Sequence, residues 1–243
     1  MGVIYMKILN FGSLNIDYVY SVDHFVQKGE TISSSQMNIF SGGKGLNQST
    51  ALGRAGAQVF HAGRIGKGGE FLVEQLKEAG VNTDLVVLDS QCSTGHAIIQ
   101  NDAEGDNCIL LYGGANQRIT KEQIDATLDQ FDAGDYLVLQ NETSNLPYLM
   151  EKAAEKQMKI VLNPSPMDEK IKALPLDKVT LFFVNEIEAA QILGQKELES
   201  TQEAAAAFRS MFPQAAVVLT LGSQGSVYIP VSYTHLRAHE TSQ

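Results

Sequence analysis

Two short runs hold most of the polar groups whose spacing suits ligand binding. In Ser41-Gly42-Gly43-Lys44-Gly45-Leu46-Asn47 three glycines stand in four positions, so the backbone can approach a bound molecule with no Cβ in the way. Lys44 adds a point charge with three donors, and Asn47 an amide that both donates and accepts. Small residues follow (Ser49, Ala51, Gly53, Ala55) and predict a helix over 46–56. A glycine-rich turn leading into a helix N-terminus suits a polyhydroxylated or anionic ligand; a tight turn before a packed helix is the plainer reading. The run is not a Walker loop, because Gly45 follows Lys44 where that motif needs Ser or Thr. Upstream, Asn15 and Asp17 are two apart and share a face if the backbone is extended. They suit a grip on two ligand hydroxyls, with an Asx turn at a strand end as the alternative.

Strands and helices must carry these groups. The sequence predicts a strand over 7–11 stopped by Gly12, a strand over 31–40 entering the glycine-rich turn, a strand over 61–65, and a helix over 70–79 ended by Gly80. Segments 85–88, 94–99 and 108–112 read as strands, the last two joined as a hairpin, and this β-rich material suggests a small sheet over the main domain. From Thr120 the pattern becomes strict strand–helix alternation. Thr120 with Gln123 reads as a capping box, and Ser200 with Glu203 as the cap of a helix running to Met211. The runs Y-L-V-L, K-I-V-L, L-F-F-V and A-V-V-L imply a parallel sheet covered by helices on both faces.

Each of those four runs ends in polar or turn-forming residues, and open α/β sheets bind ligands beyond the carboxyl ends of their strands. Glu142, Asn163, Asn185, Glu188 and the segment Thr220-Leu221-Gly222-Ser223-Gln224-Gly225 are therefore expected along one crevice. Glu188 fits the positive end of a helix macrodipole or a magnesium–water cluster. The amides of Thr220–Gly225 could cradle phosphate or adenine.

The 243 residues suffice for one large domain, alone or with a small accessory piece. With 18 Lys and Arg against 28 Asp and Glu, the formal charge is −10, which disfavours nucleic-acid and membrane-surface partners. Cys92 and Cys108 lack zinc-type spacing and read as reduced thiols. No signal-peptide pattern or membrane-length apolar run occurs, so the expected location is cytoplasmic.

Six segments, in order, carry a resemblance to the ribokinase-like carbohydrate kinases over roughly 7–230: G-S-L-N-I-D (Gly12 to Asp17), G-G-K-G-L-N-Q (Gly42 to Gln48), G-A-N (Gly114 to Asn116), N-P-S-P (Asn163 to Pro166), N-E-I-E (Asn185 to Glu188) and T-L-G-S-Q-G (Thr220 to Gly225). The resemblance implies an α/β fold, a three-layer sandwich with a mostly parallel central sheet and a small β-sheet lid made of about 13–41 and 94–112. It implies ATP-dependent phosphorylation of a small sugar, most simply ribose to ribose 5-phosphate, with another sugar or a nucleoside as alternatives. It places Asn15, Asp17, Gly43, Lys44, Asn47 and Glu142 on the sugar, and Asn185, Thr220, Gly222, Ser223 and Gly225 on the nucleotide. Glu188 falls on Mg²⁺, and a monovalent cation and a homodimer contact through the lid are family options. Closing the lid would exclude water from the transfer.

The family's catalytic base and anion hole come from a G-A-G-D segment, and none occurs in these 243 residues. Positioned bases give about 10²–10⁴ in rate, and each oxyanion-type donor about 10²–10³. The expectation is an incomplete domain over 1–230 that is inactive as written, with a non-catalytic sugar- or nucleotide-binding fragment as the other reading. Residues 231–243 resemble translated adapter sequence and read as an artefactual tail. Apolar strand surface at 217–219 is expected to be partly exposed.

Overall fold

The structure, a computed structural model, describes residues 6–231 and the backbone of 237–239. It divides into two compact units: an N-terminal one of 10–120 with 142–144, and a C-terminal one holding the rest of the described chain.

The N-terminal unit is entered through β1 (Ile8–Phe11), whose first two residues count with the C-terminal unit. It continues with β2 (Asn15–Ser21), β3 (Gln36–Gly42), α1 (Lys44–Arg54), β4 (Val59–Lys67), α2 (Glu70–Glu78), β5 (Asn82–Ser93), β6 (Gly95–Asn101) and β7 (Asn107–Tyr112). β1, β4 and β5 lie side by side in the central sheet, while β3-β2-β6-β7 form a separate four-stranded sheet. In that small sheet β2 runs antiparallel to β3 and parallel to β6, and β7 returns antiparallel to β6. α2 buries Leu72 and Leu76, one turn apart on one face, and Gly80 follows it at φ 80°. α1 packs closely because Gly53 stands against the Ala79 carbonyl, where a Cβ would collide.

Two sequence expectations change here. The strand expected over 31–40 begins only at Gln36 and runs on to Gly42; the chain before it is a turn closed by the Glu30 N–H on the Gln27 carbonyl at 3.0 Å. Residues 85–88 belong to β5 and pair in parallel with β4, Ala62 opposite Leu85 through Ile65 opposite Leu88. The intervening α2 makes β4-α2-β5 a crossover unit, the connection that parallel neighbours require.

The C-terminal unit adds α3 (Lys121–Leu128), β8 (Tyr136–Gln140), α4 (Leu146–Glu155), β9 (Lys159–Asn163), β10 (Val179–Asn185), α5 (Glu186–Ile192), α6 (Thr201–Met211), β11 (Ala216–Thr220), β12 (Ser226–Ile229) and β13 (Arg237–His239). Strands β8 to β11 are parallel in consecutive order; β12 and β13 add an antiparallel edge. Leu137, Ile160, Phe182 and Val217 are fully buried, as continuous apolar strands between helical layers should be. Phe182 packs on Phe208 and Phe212 with ring centroids 5.9 and 5.0 Å away. The expected exposure of 217–219 is confined to one face: Val217 and Leu219 are buried in this packing, while Val218 and its register partner Phe183 stay partly open to solvent. The adapter-like reading of 231–243 falls largely outside the described residues.

Candidate functional site

The small sheet and α1 bring the first group of candidates together within the N-terminal unit. Asn15 pairs with Gly42 and Asp17 with Phe40 across β2 and β3, so both polar residues lie on one face beside the glycine-rich turn. Gly42 leaves room for the Asp17 carboxylate in its present rotamer, since a Cβ there would overlap it. Gly43 caps α1 at φ 94°, a left-handed conformation. Its missing Cβ would stand 3.1 Å from the Asn15 amide nitrogen.

Lys44 opens α1, and Glu142 meets it twice. Glu142 Oε2 accepts the Lys44 N–H at 2.9 Å, and Oε1 lies 3.4 Å from Lys44 Nζ. The Ser13 hydroxyl donates to the same Oε2 and accepts from the Gly45 N–H at 3.2 Å. The Glu142 carboxylate is nearly buried while Lys44 remains partly open to solvent. Burial raises the Asp17 carboxyl above the usual carboxylate range, and the negative charge of Glu142 pushes it the same way. Asn47 stands one turn further along α1, exposed, its N–H on the Gly43 carbonyl at 3.1 Å.

Asn15 is buried and already engaged, its Oδ1 accepting from Asn116 Nδ2 at 2.7 Å. Asn116 also accepts the Leu14 N–H at 3.0 Å. The neighbouring Gln117 donates to the Glu142 carbonyl at 2.8 Å. Ser13, Asn116 and Gln117 touch the candidate residues directly, and sequence reasoning left them without a role. Ser13 and Asn116 lie inside two of the quoted motif segments, G-S-L-N-I-D and G-A-N, which was the available signal; nothing local marked Gln117.

The second group assembles within the C-terminal unit, at the carboxyl ends of β10 and β11. Asn185 and Thr220 are register partners on the two strands, and the Thr220 hydroxyl donates to the Val184 carbonyl at 3.4 Å. Ser223 lies in a 3-10 turn between β11 and β12, with Gly222 at φ 57° and Gly225 at φ 89°. That turn spends three amides on itself: Leu221 N–H on Gly225 O at 2.8 Å, Gln224 on Leu221 at 3.0 Å and Gly225 on Gly222 at 3.2 Å. Three of the amides expected to form a cradle are thus engaged within the turn, and Thr220 and Ser223 are the exposed hydroxyl-bearing residues beside it.

Glu188 and Asn185 form a reciprocal capping box on α5. Asn185 Oδ1 accepts the Glu188 N–H at 2.8 Å and Glu188 Oε2 accepts the Asn185 N–H at 3.0 Å. The capping box occupies one acceptor site of Glu188 and leaves Oε1 without a side-chain or backbone bond in that box, so the carboxylate would keep capacity for a hydrated magnesium ion. Among the described residues no three His, Cys, Asp or Glu side chains group to hold a metal, and no helix is long and apolar enough to cross a membrane. Asn163 ends β9, as expected of a residue at a strand's carboxyl end, and its side chain accepts the Ser165 N–H at 3.0 Å in a local turn.

Comparison with known proteins gives a consistent result. The profile of the pfkB family carbohydrate kinases matches residues 6–240. The ribokinase of Staphylococcus aureus is 32% identical over 248 residues, covering 97% of this chain and 80% of that protein. The ribokinase of Haemophilus influenzae is 32% identical over 220 residues, covering 88% of this chain and 71% of that protein. The crystal structure of ribokinase from Cryptococcus neoformans in complex with ADP superposes with a TM-score of 0.82 at 29% identity, covering 98% of this chain and 80% of that one.

Proposed function

We infer from one premise, that this chain belongs to the pfkB family of carbohydrate kinases, that it binds a small sugar beside Lys44 and phosphorylates it from ATP. Ribose is the sugar of choice, since both relatives compared above are named ribokinases. The observation that carries this reading is the convergence of Asn15, Asp17, the Gly42–Gly43 turn, Lys44 and Glu142 in one place. Asp17 offers a half-buried carboxylate and Lys44 a half-exposed ammonium, and such paired acceptors and donors suit adjacent hydroxyls. Glu142 and Ser13 hold Lys44 and Gly45 and so preorganise the grip. Asn47, exposed on the next turn, supplies a further amide.

Thr220, Gly222, Ser223 and Gly225 with Asn185 serve the nucleotide, in line with the ADP complex of the Cryptococcus relative. Mg²⁺, arriving with the phosphates, would neutralise charge there, with Glu188 as its partner through water. The small sheet exposes Ile39, Ile98 and Leu110 on one face, which supports a homodimer contact through that sheet. We place the protein in the cytoplasm on composition alone.

The 243 residues contain no G-A-G-D run, so we propose binding with turnover slowed by orders of magnitude in this polypeptide. Calorimetric titration with ribose and with ADP, run beside a phosphoryl-transfer assay with ribose and ATP, tests both parts. Saturable ribose binding supports the sugar site, and its absence overturns it. Turnover at ordinary kinase rates of about 1–100 s⁻¹ would overturn the slow-turnover part.

A further inference from the structure

Beneath the first turn of α1, within the N-terminal unit, lies a chain of buried polar groups that the sugar site does not use directly. Asn10, Ser49 and His61 are all fully buried. Asn10 Nδ2 donates to the Gly45 carbonyl at 2.8 Å and to Ser49 Oγ at 2.9 Å. Ser49 Oγ lies 2.8 Å from His61 Nδ1.

The hydrogen-bond inventory gives this chain a direction. An amide nitrogen has two protons and no lone pair to offer, so both Asn10 contacts are donated. Ser49 accepts one of them, and because the group facing Nε2 is the Gly12 carbonyl, which can only accept, we assign the ring proton to Nε2 and the Ser49 proton to the contact with Nδ1. That makes Nδ1 an acceptor and the ring a neutral tautomer. Nε2 has no hydrogen-bond partner of good geometry. The nearby Gly12 carbonyl opposes the effect of burial on the ring, and the missing Cβ of Gly63 would stand 2.7 Å from that carbonyl oxygen and 3.3 Å from Nε2. An imidazole buried with one nitrogen imperfectly paired is costly, and an aliphatic residue would fill the same space more cheaply.

The ends of the chain fall where the site is built. Gly12 immediately precedes Ser13, and Gly45 immediately follows Lys44. Two amides of the α1 entry close on Ser13, Gly45 on its hydroxyl at 3.2 Å and Leu46 on its carbonyl at 2.9 Å, and the Lys44 amide closes at 2.9 Å on Glu142, to which the Ser13 hydroxyl also donates. We propose that the His61–Ser49–Asn10 relay is a positioning device that fixes the Gly12–Ser13 segment against the first turn of α1, and thereby sets the sugar-binding pose of Lys44. The relay stands on geometry alone; its consequence for the ligand rests on the sugar-site reading above.

The test uses the whole chain and three variants, Ser49→Ala, His61→Asn and His61→Leu. Asn keeps an acceptor close to the Nδ1 position, whereas Leu keeps only volume. Amide hydrogen exchange at Lys44, Gly45 and Leu46 should quicken about tenfold in S49A and H61L, at fixed exchange elsewhere in the unit, and stay near wild type in H61N. The ribose dissociation constant should rise about tenfold in the same two variants while ADP affinity holds. Uniformly faster exchange, or unchanged exchange at those three amides in S49A, would overturn the relay. If H61L fails to fold, S49A and H61N still decide between these outcomes. Should the wild-type chain bind no ribose, the sugar reading fails by itself, and the exchange pattern still tests the relay.

Discussion

Glu142 grips Lys44 at both ends of that residue, accepting its backbone N–H at 2.9 Å and facing its ammonium at 3.4 Å. One carboxylate from a distant part of the sequence thus fixes both the start of α1 and the direction of its only charged side chain near the turn. Replacing Glu142 by Gln keeps the shape and removes the charge. Hydrogen bonds to charged groups contribute about 1.5–3 kcal/mol, so ribose affinity should fall roughly 10–100-fold with ADP affinity unchanged. Titration calorimetry on the E142Q chain reads both, and equal ribose affinity in the two proteins would remove Glu142 from the site.

Gly42→Ala makes a narrower cut. The new methyl group overlaps the Asp17 carboxylate, which must rotate away, while the backbone at Gly42 has no positive φ to relieve. Sugar binding should weaken about as much as in Asp17→Asn, whereas the melting temperature moves little. A large fall in stability with intact binding would show that the close approach is merely packing.

The buried His61 makes stability depend on pH. Its folded pKa is lowered from 6.5 to about 4 by burial, against a smaller opposing contribution from Gly12. Above 6.5 both folded and unfolded forms hold the ring neutral and stability is complete. As pH falls from 6.5 towards 4 the unfolded chain takes up the proton first, so stability is lost, on the order of 3 kcal/mol by pH 4. Asp17 acts in the opposite sense, because its raised pKa favours the folded form on acidification. Urea unfolding of wild type and H61N at pH 7 and pH 4.5 isolates the histidine. Parallel losses in the two proteins would assign the acid sensitivity elsewhere.

The capping box on α5 separates structure from metal binding. Asn185→Ala removes the cap and should cost about 1 kcal/mol, a fall of about 2–4 °C in melting temperature for a chain of this size. Glu188→Gln keeps an acceptor for the Asn185 N–H and should cost less. If Glu188 also serves Mg²⁺, E188Q will weaken ADP binding in the presence of Mg²⁺ and leave metal-free ADP binding unaltered. Equal effects with and without the metal would reduce Glu188 to its capping role.

Much of the fold was legible because its signals are local. The continuous apolar runs that became β8, β9, β10 and β11, the capping residues Asn185 and Ser200, and Gly80 after α2 announce themselves over a few positions. Residues 31–35 and β5 were read less well. Propensity marks a strand but does not say which neighbour it pairs with, and β5 joins β4 through a crossover that only three-dimensional packing selects. The exposure expected over 217–219 falls on Val218 alone, since burial depends on what covers each face of a strand.

Taken alone, the sequence determined which residue types could bind a polyhydroxylated ligand, their order along the chain, and the alternation that yields a mostly parallel sheet. These follow from spacing, backbone freedom and hydrophobic period, which act over short distances. Only the tertiary structure decided that Glu142 is spent on Lys44 and Ser13, that Asn15 is held by Asn116, and that His61 lies buried behind Ser49. Those are pairings between residues 12 to more than 100 positions apart. Hydrogen-bond partners at such separations are set by how the chain packs, and no local pattern encodes them.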